Sequence, residues 1–159
     1  MYKKILLATD GSENSIAATK RVIELAKESK AEVAFFYSEN HHPIDQEITM
    51  PFPKSVFGFT SYMIPSDDYR KIKESLKAFG ERIIRETQML FENAGIPAKG
   101  ELIVDRDPAD YAKMAVEKDH YDLVVVGCKG HHSRLRKALI GTVAEKISNE
   151  VGCDVLIVR

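Results

Sequence analysis

The chain has 159 residues, 44% apolar and 30% charged, a size and balance that suit one globular domain with an ordinary core. Its 23 basic and 24 acidic side chains nearly cancel, which argues against a general nucleic-acid-binding surface. No apolar run approaches the roughly 18 residues of a membrane helix, and the opening MYKKILLATDG is too short in its apolar part for a secretory leader. The expectation is a cytoplasmic protein with no membrane or nucleic-acid partner.

In chain order, Lys4–Ala8 (KILLA) reads as a first strand. Ser12–Ser29 follows with apolar Ala18, Val22, Leu25 and Ala26 at helical spacing, and Ser12 or Asn14 as its cap. Val33–Tyr37 (VAFFY) is a second strand. The 27 residues Glu39–Pro65 then carry four prolines and no clear period. Loops this long in a compact domain are usually functional lids or disordered. Met50, Phe52, Phe57, Phe59, Tyr62 and Met63 make this insertion at 39–65 too apolar for plain disorder. Three readings stay open: a cover over the sheet's open end, a contact with a partner subunit, or a satellite cluster on its own chain.

Ser66–Asn93 repeats Tyr69, Ile72, Leu76, Phe79, Ile83 and Leu90 along one helical face. Ser66 can cap it, Asp67 and Asp68 suit its positive end, and Gly95 with Pro97 stops it. Lys99–Val104 (KGELIV) is a third strand. Asp107-Pro108 is a cap followed by proline at the first helical position, opening a helix to about Lys118. Leu123–Val126 and Val155–Val158 are the last two strands, with a helix from Thr142 to about Glu150 between them.

Most of these strands are continuous apolar runs, as in parallel strands buried on both faces. The alternation of strand and helix predicts an α/β fold: a doubly wound five-stranded parallel sheet with helices on both faces, in one domain, 1–159. Ligands in such sheets bind beyond the C-terminal ends of the strands. The residues to inspect therefore follow the strands: Thr9, Asp10 and Gly11, then Ser38 onward, then Gly127 onward. Cys128 and Cys153 fall at opposite ends of the sheet, so no bond is expected between them.

The richest stretch is VVVGCKGHHSRLRKALIGT, Val124 to Thr142. It contains neither a Walker loop nor G-x-G-x-x-G. It does contain Gly127-x-x-Gly130, then ten residues, then Gly141-Thr142. Glycines just past a strand let the backbone approach a ligand closely. Thr142-Val143-Ala144-Glu145 has capping-box form, which places a helix start at Thr142. Free N–H groups there favour phosphate, and Lys129, Arg134, Arg136 and Lys137 lie nearby in sequence. The residues alone leave two readings, a phosphate site or an inert strand–helix junction.

Other candidates have plainer explanations. His41-His42 and His131-His132 are adjacent pairs without metal-ligand spacing and read as loop histidines. Cys128 has no evident base or resolving thiol. Asp105 and Asp107 follow the third strand, but only Asp10 follows the first, where a phospho-acceptor receiver has an acidic pair; Asp107 reads better as a helix cap.

Three blocks, YKKILLATDGSENS, IVDRDPADYAKMAVEKDHYDLVVVG and GTVAEKISNEVGCDVLIVR, closely resemble the universal stress protein family. The resemblance runs nearly end to end and implies a Rossmann-like sheet. The family's ATP-binding branch is marked by a glycine, two residues, a glycine, nine residues, then glycine with serine or threonine. Gly127, Gly130, Gly141 and Thr142 fall on that pattern with ten residues, His131–Ile140, in place of nine. The resemblance implies that these four hold a triphosphate, with Val143 adding a backbone N–H. It also implies Asp10 at the ribose or at a nucleotide-bound Mg²⁺, and Thr9, Ser38 and Val126 around the adenine. No catalytic residue is implied. Members commonly dimerise through the last strand, so a homodimer through 154–159 is expected. The leading expectation is an ATP-dependent stress-response module. A nucleotide-free interaction scaffold and a slow ATP hydrolase are the alternatives.

Overall fold

The computed structural model describes residues 1–39, 66–129 and 140–159. Within them, strands β1 (Lys4–Ala8), β2 (Glu32–Glu39), β3 (Ala98–Val104), β4 (Leu123–Gly127) and β5 (Asp154–Val158) alternate with helices α1 (Glu13–Ser29), α2 (Ser66–Asn93), α3 (Pro108–Asp119) and α4 (Thr142–Glu150). The strands form one parallel sheet in the order β3-β2-β1-β4-β5. Strand order runs outward from β1 in both directions, so the sheet is doubly wound and the switch point lies at the end of β1.

Alternate strand residues face opposite sides of the sheet. Ile5, Leu7, Val33, Phe35, Leu123 and Val125 pack with Ala18, Val22 and Ala26 of α1 and Phe91 of α2. Leu6, Ala8, Phe36, Val124 and Val126 pack on the other side with Ala109, Ala112 and Ala115 of α3 and Ala144 and Ile147 of α4. Both faces are buried, which is the physical reason for the uninterrupted apolar runs.

Local signals set the helix ends. Ser12 caps α1, its hydroxyl accepting from the Ser15 amide. Gly95, at φ +70°, ends α2 and lets the Ile96 amide return to the Phe91 carbonyl. Asp107 accepts from the amides of Ala109 and Asp110 at the start of α3, with Pro108 in the first turn.

Three expectations need correction. Thr142 is not the cap of α4: Gly141 is, because its carbonyl accepts the Glu145 amide and closes the first turn. No side chain caps this end, so the capping box is not formed and Thr142 is the first helical residue. Ser38 does not follow β2 but lies inside it, since β2 stays paired with β3 out to Glu39↔Val104. Gly127 likewise ends β4 itself, paired with Val158. Beyond Glu39, the 39–65 insertion lies outside the described residues, as do Gly130 and both histidine pairs; so does the side chain of Ser66, its proposed cap.

Candidate functional site

β1, at the centre of the sheet, ends before its neighbours β2 and β4, and this makes the crevice. Its last rungs are Ala8↔Phe36 towards β2 and Ala8↔Val126 towards β4. Beyond them the Thr9 amide donates to the Phe36 carbonyl, 3.0 Å, and the chain turns away. β2 and β4 continue past this point. Backbone N–H and C=O of one strand residue point to the same neighbour, and alternate residues point the same way. Phe36 therefore points to β1, and so does Ser38, two residues on. Glu39 points the other way, to the Asp105 amide on the β3 side. Across the gap, Cys128 donates to the Val158 carbonyl of β5, 2.6 Å, which turns Gly127 towards β1. Ser38 and Gly127 thus present main-chain groups over the end of β1, about 9–10 Å apart at two strand spacings.

The turn after β1 closes the floor of this crevice. Thr9 is buried, and its hydroxyl donates to Ser15 Oγ, 3.4 Å. The Ser12 amide donates to Asp10 Oδ1, 3.0 Å, holding the carboxylate at the mouth. Gly11 sits at φ +75°, and a Cβ there would collide with the buried Ile83 of α2; a left-handed turn against a helix requires glycine. Gly127 is equally constrained. A Cβ on it would stand 2.8 Å from the Asn14 carbonyl carbon and the Ser15 nitrogen, so the start of α1 packs directly on the end of β4.

The two ends of the glycine-rich stretch meet. The Gly141 amide donates to the Cys128 carbonyl, 2.7 Å, and a Gly141 Cβ would lie 3.0 Å from that oxygen. The first turn of α4, with Thr142 and Val143 exposed, is therefore seated beside the end of β4. Its amides and dipole make a ready anion site next to a half-buried Lys129. Lys146, on the next turn of α4, donates to Asp107 Oδ2, 3.2 Å, and ties α4 to the start of α3. Burial works against the Asp107 charge, but the Ala109 amide, Lys146 and the Asp110 amide outweigh it and hold the carboxyl below its ordinary value.

Across residues 1–159, the whole of this sequence, the chain matches the model of the universal stress protein family. The chain belongs to the universal stress protein family. A universal stress protein of Methanocaldococcus jannaschii is 31% identical over 159 residues, covering 100% of this chain and 83% of the relative. Among solved structures, a universal stress protein of Lactobacillus plantarum superposes with a TM-score of 0.75 at 19% identity, over 99% of this chain and 98% of that one. A family member from Arabidopsis thaliana, solved with AMP bound, gives 0.62 at 14%, over 98% and 90%.

In this universal stress protein, Thr9, Asp10, Ser38, Val126, Gly127, Gly141, Thr142 and Val143 all lie at the C-terminal end of the sheet or on the turn of α4 seated there. They are not equivalent. The Thr9 amide is already committed to Phe36, and the Ser38 hydroxyl donates to the Arg106 carbonyl. Only the main chain of Ser38 is turned to the crevice. Among the described residues no group of three or more His, Cys, Asp or Glu gathers to hold a metal. No described helix is long and apolar enough to cross a membrane. Besides capping α1, the Ser12 hydroxyl donates to the Lys129 carbonyl, 3.3 Å. No local signal marks that bond, because its acceptor is a main-chain atom far along the chain.

Proposed function

We propose that this protein binds ATP in the crevice over the end of β1 and acts as a nucleotide-dependent stress-response module. The observation that carries this reading is the seating of the first turn of α4, which has no side-chain cap, against the Cys128 carbonyl beside Gly127. An N–H and a C=O on Ser38 match the acceptor and donor on the edge of adenine. Gly127, Gly141, Thr142 and Val143 would surround the phosphates, with Gly130 completing the set. Val126 and the Thr9 main chain would border the base. Mg²⁺ binds through one or two carboxylates plus substrate phosphates, and Asp10 is one carboxylate at the mouth, so a magnesium ion carried by the nucleotide suits it. The AMP bound to the Arabidopsis relative supports an adenine nucleotide as the ligand class.

The same reading includes a homodimer through β5. β3, the other edge, exposes Lys99 and Glu101, whereas β5 has no charge between Asp154 and Arg159 and leaves Val155 to Val158 half-buried. Uncharged edges invite pairing with a second strand, and a second copy pairs by a two-fold contact.

Mass spectrometry of small molecules released from the purified protein tests the reading directly, with release of adenine nucleotide expected. Thermal shift supplies the second measurement. Mg-ATP at about 100 times its dissociation constant stabilises a one-site binder by about 2.7 kcal/mol. No released nucleotide and no shift with millimolar ATP, ADP or AMP would replace the binding module with the nucleotide-free scaffold. Phosphate release by wild type and Asp10→Ala at the same background rate would dismiss hydrolysis.

A further inference from the structure

Ser12 joins the two halves of the crevice. Its amide donates to Asp10 Oδ1 and its hydroxyl accepts from the Ser15 amide. The same hydroxyl donates to the Lys129 carbonyl, 3.3 Å, across 117 residues of sequence. The residue is 8% exposed; its bond from Ser15 is buried, and those to Asp10 and Lys129 are partly buried. On its far side, the Lys129 backbone adjoins Cys128, whose amide is fixed to β5 and whose carbonyl receives the Gly141 amide. One buried residue therefore stands between the Asp10 carboxylate just past β1, which its amide holds, and the strand end on which α4 is seated, which its hydroxyl holds.

We infer that Ser12 is a positioning residue for the phosphate half of the site. This rests on the nucleotide-binding reading above and names a residue that touches no ligand in it. The helix cap and the tether are separate duties of the same oxygen. The cap holds α1. The tether holds the Lys129 backbone at a fixed distance from Asp10. Loss of the cap lowers the stability of the whole fold. Loss of the tether loosens only the phosphate side, leaving the base side, built on β2 and the end of β1, as it was.

The test compares ATP with adenosine by titration calorimetry, using wild type, Ser12→Ala, Ser12→Gly and Ser12→Thr. Glycine keeps most of the capping ability of serine without its hydroxyl, so Ser12→Gly serves if Ser12→Ala folds poorly. The expected result is a loss of about fivefold in ATP affinity for the alanine and glycine variants, the worth of about one net hydrogen bond. Adenosine affinity stays within twofold of wild type, and Ser12→Thr restores ATP binding. Equal losses for both ligands, or an unchanged ATP affinity, would overturn the inference. Hydrogen exchange at the Gly141 amide provides a readout without nucleotide. Faster exchange in Ser12→Ala than in Ser12→Thr supports the tether, and equal exchange overturns it. If wild type binds neither ligand, the ATP reading fails, and the exchange result alone decides whether Ser12 holds the strand end.

Discussion

Gly127→Ala tests the packing on which the crevice depends. The added Cβ would stand 2.8 Å from Asn14 C and Ser15 N and 3.1 Å from Asn14 Cβ. The first two atoms belong to the backbone of α1, and Gly127 is itself fixed in β4 against Val158. No side-chain rotation relieves the clash, so α1 or the end of β4 must move by about half an ångström or more to reach ordinary contact. Overpacking of this kind costs about 1–3 kcal/mol. At about 2 kcal/mol, a chain of this length loses about 4–8 °C in melting temperature. Gly152 is the control, since a Cβ there meets nothing within 4 Å and its φ is not positive. Gly152→Ala should be neutral or stabilise by up to about 1 kcal/mol through the unfolded chain. Urea denaturation of both variants measures the difference. A Gly127→Ala midpoint equal to that of Gly152→Ala would refute the argument that α1 rests on the end of β4.

Phe91→Ala should cost about 3–5 kcal/mol in the same assay, because Phe91 is fully buried and stacks on Phe35 at 5.5 Å. Asp107→Ala removes the cap of α3 and should cost about 1 kcal/mol, while Asp107→Asn keeps a capping oxygen but loses the charge that Lys146 pairs, and should fall between the alanine variant and wild type at pH 7. The acid limb distinguishes these two: the folded Asp107 carboxyl titrates below its ordinary value, so its stabilisation is present above about pH 4 and lost as pH falls through the folded value. Denaturation midpoints of Asp107→Asn should therefore fall less steeply than wild type below pH 5. Sedimentation at micromolar concentration should give a dimer for wild type; a wild-type monomer would remove the dimer.

Element order was legible because its signals are local. Apolar runs mark strands buried on both faces, and Asp107-Pro108 marks a helix start within three residues of the atoms it caps. The place of Ser38 in β2 is not legible locally, because a polar residue at the end of an apolar run looks like the start of a loop; it depends on pairing with Ile103 of β3, far along the chain. At Thr142 the predicted helix start is observed, and only the cap is displaced. The capping-box pattern is a real local signal, but Gly141, held to the Cys128 carbonyl, takes the cap position first. The turns around the crevice were legible through their glycines, since Gly11 and Gly127 stand where an added Cβ would clash. The framework behind them was not, because Cys128 and Gly141 act through main-chain atoms that any residue carries, and the Ser12 hydroxyl reaches a main-chain acceptor far along the chain.

The ten-residue spacing between Gly130 and Gly141 is the sequence argument for a nucleotide-free scaffold, and the described geometry bears on it. The stretch is anchored at Gly127–Lys129 on one side and Gly141 on the other, and the Gly141 amide to Cys128 carbonyl bond joins those anchors at 2.7 Å. For a flexible loop the closure cost grows as (3/2)RT ln n, so lengthening ten residues to eleven, or nine to ten, costs about 0.1 kcal/mol. That is far smaller than the about 1 kcal/mol of a single net hydrogen bond such as the one closing the loop. The extra residue therefore does not by itself separate the α4 turn from β4. Deleting Ser133 restores the nine-residue spacing and should change ATP affinity by less than about twofold, since about 0.1 kcal/mol is a factor of about 1.2. Calorimetric titration of the deletion variant beside wild type measures it. A gain of tenfold or more would show that the added residue obstructs the phosphates directly, and the length argument for the scaffold would stand.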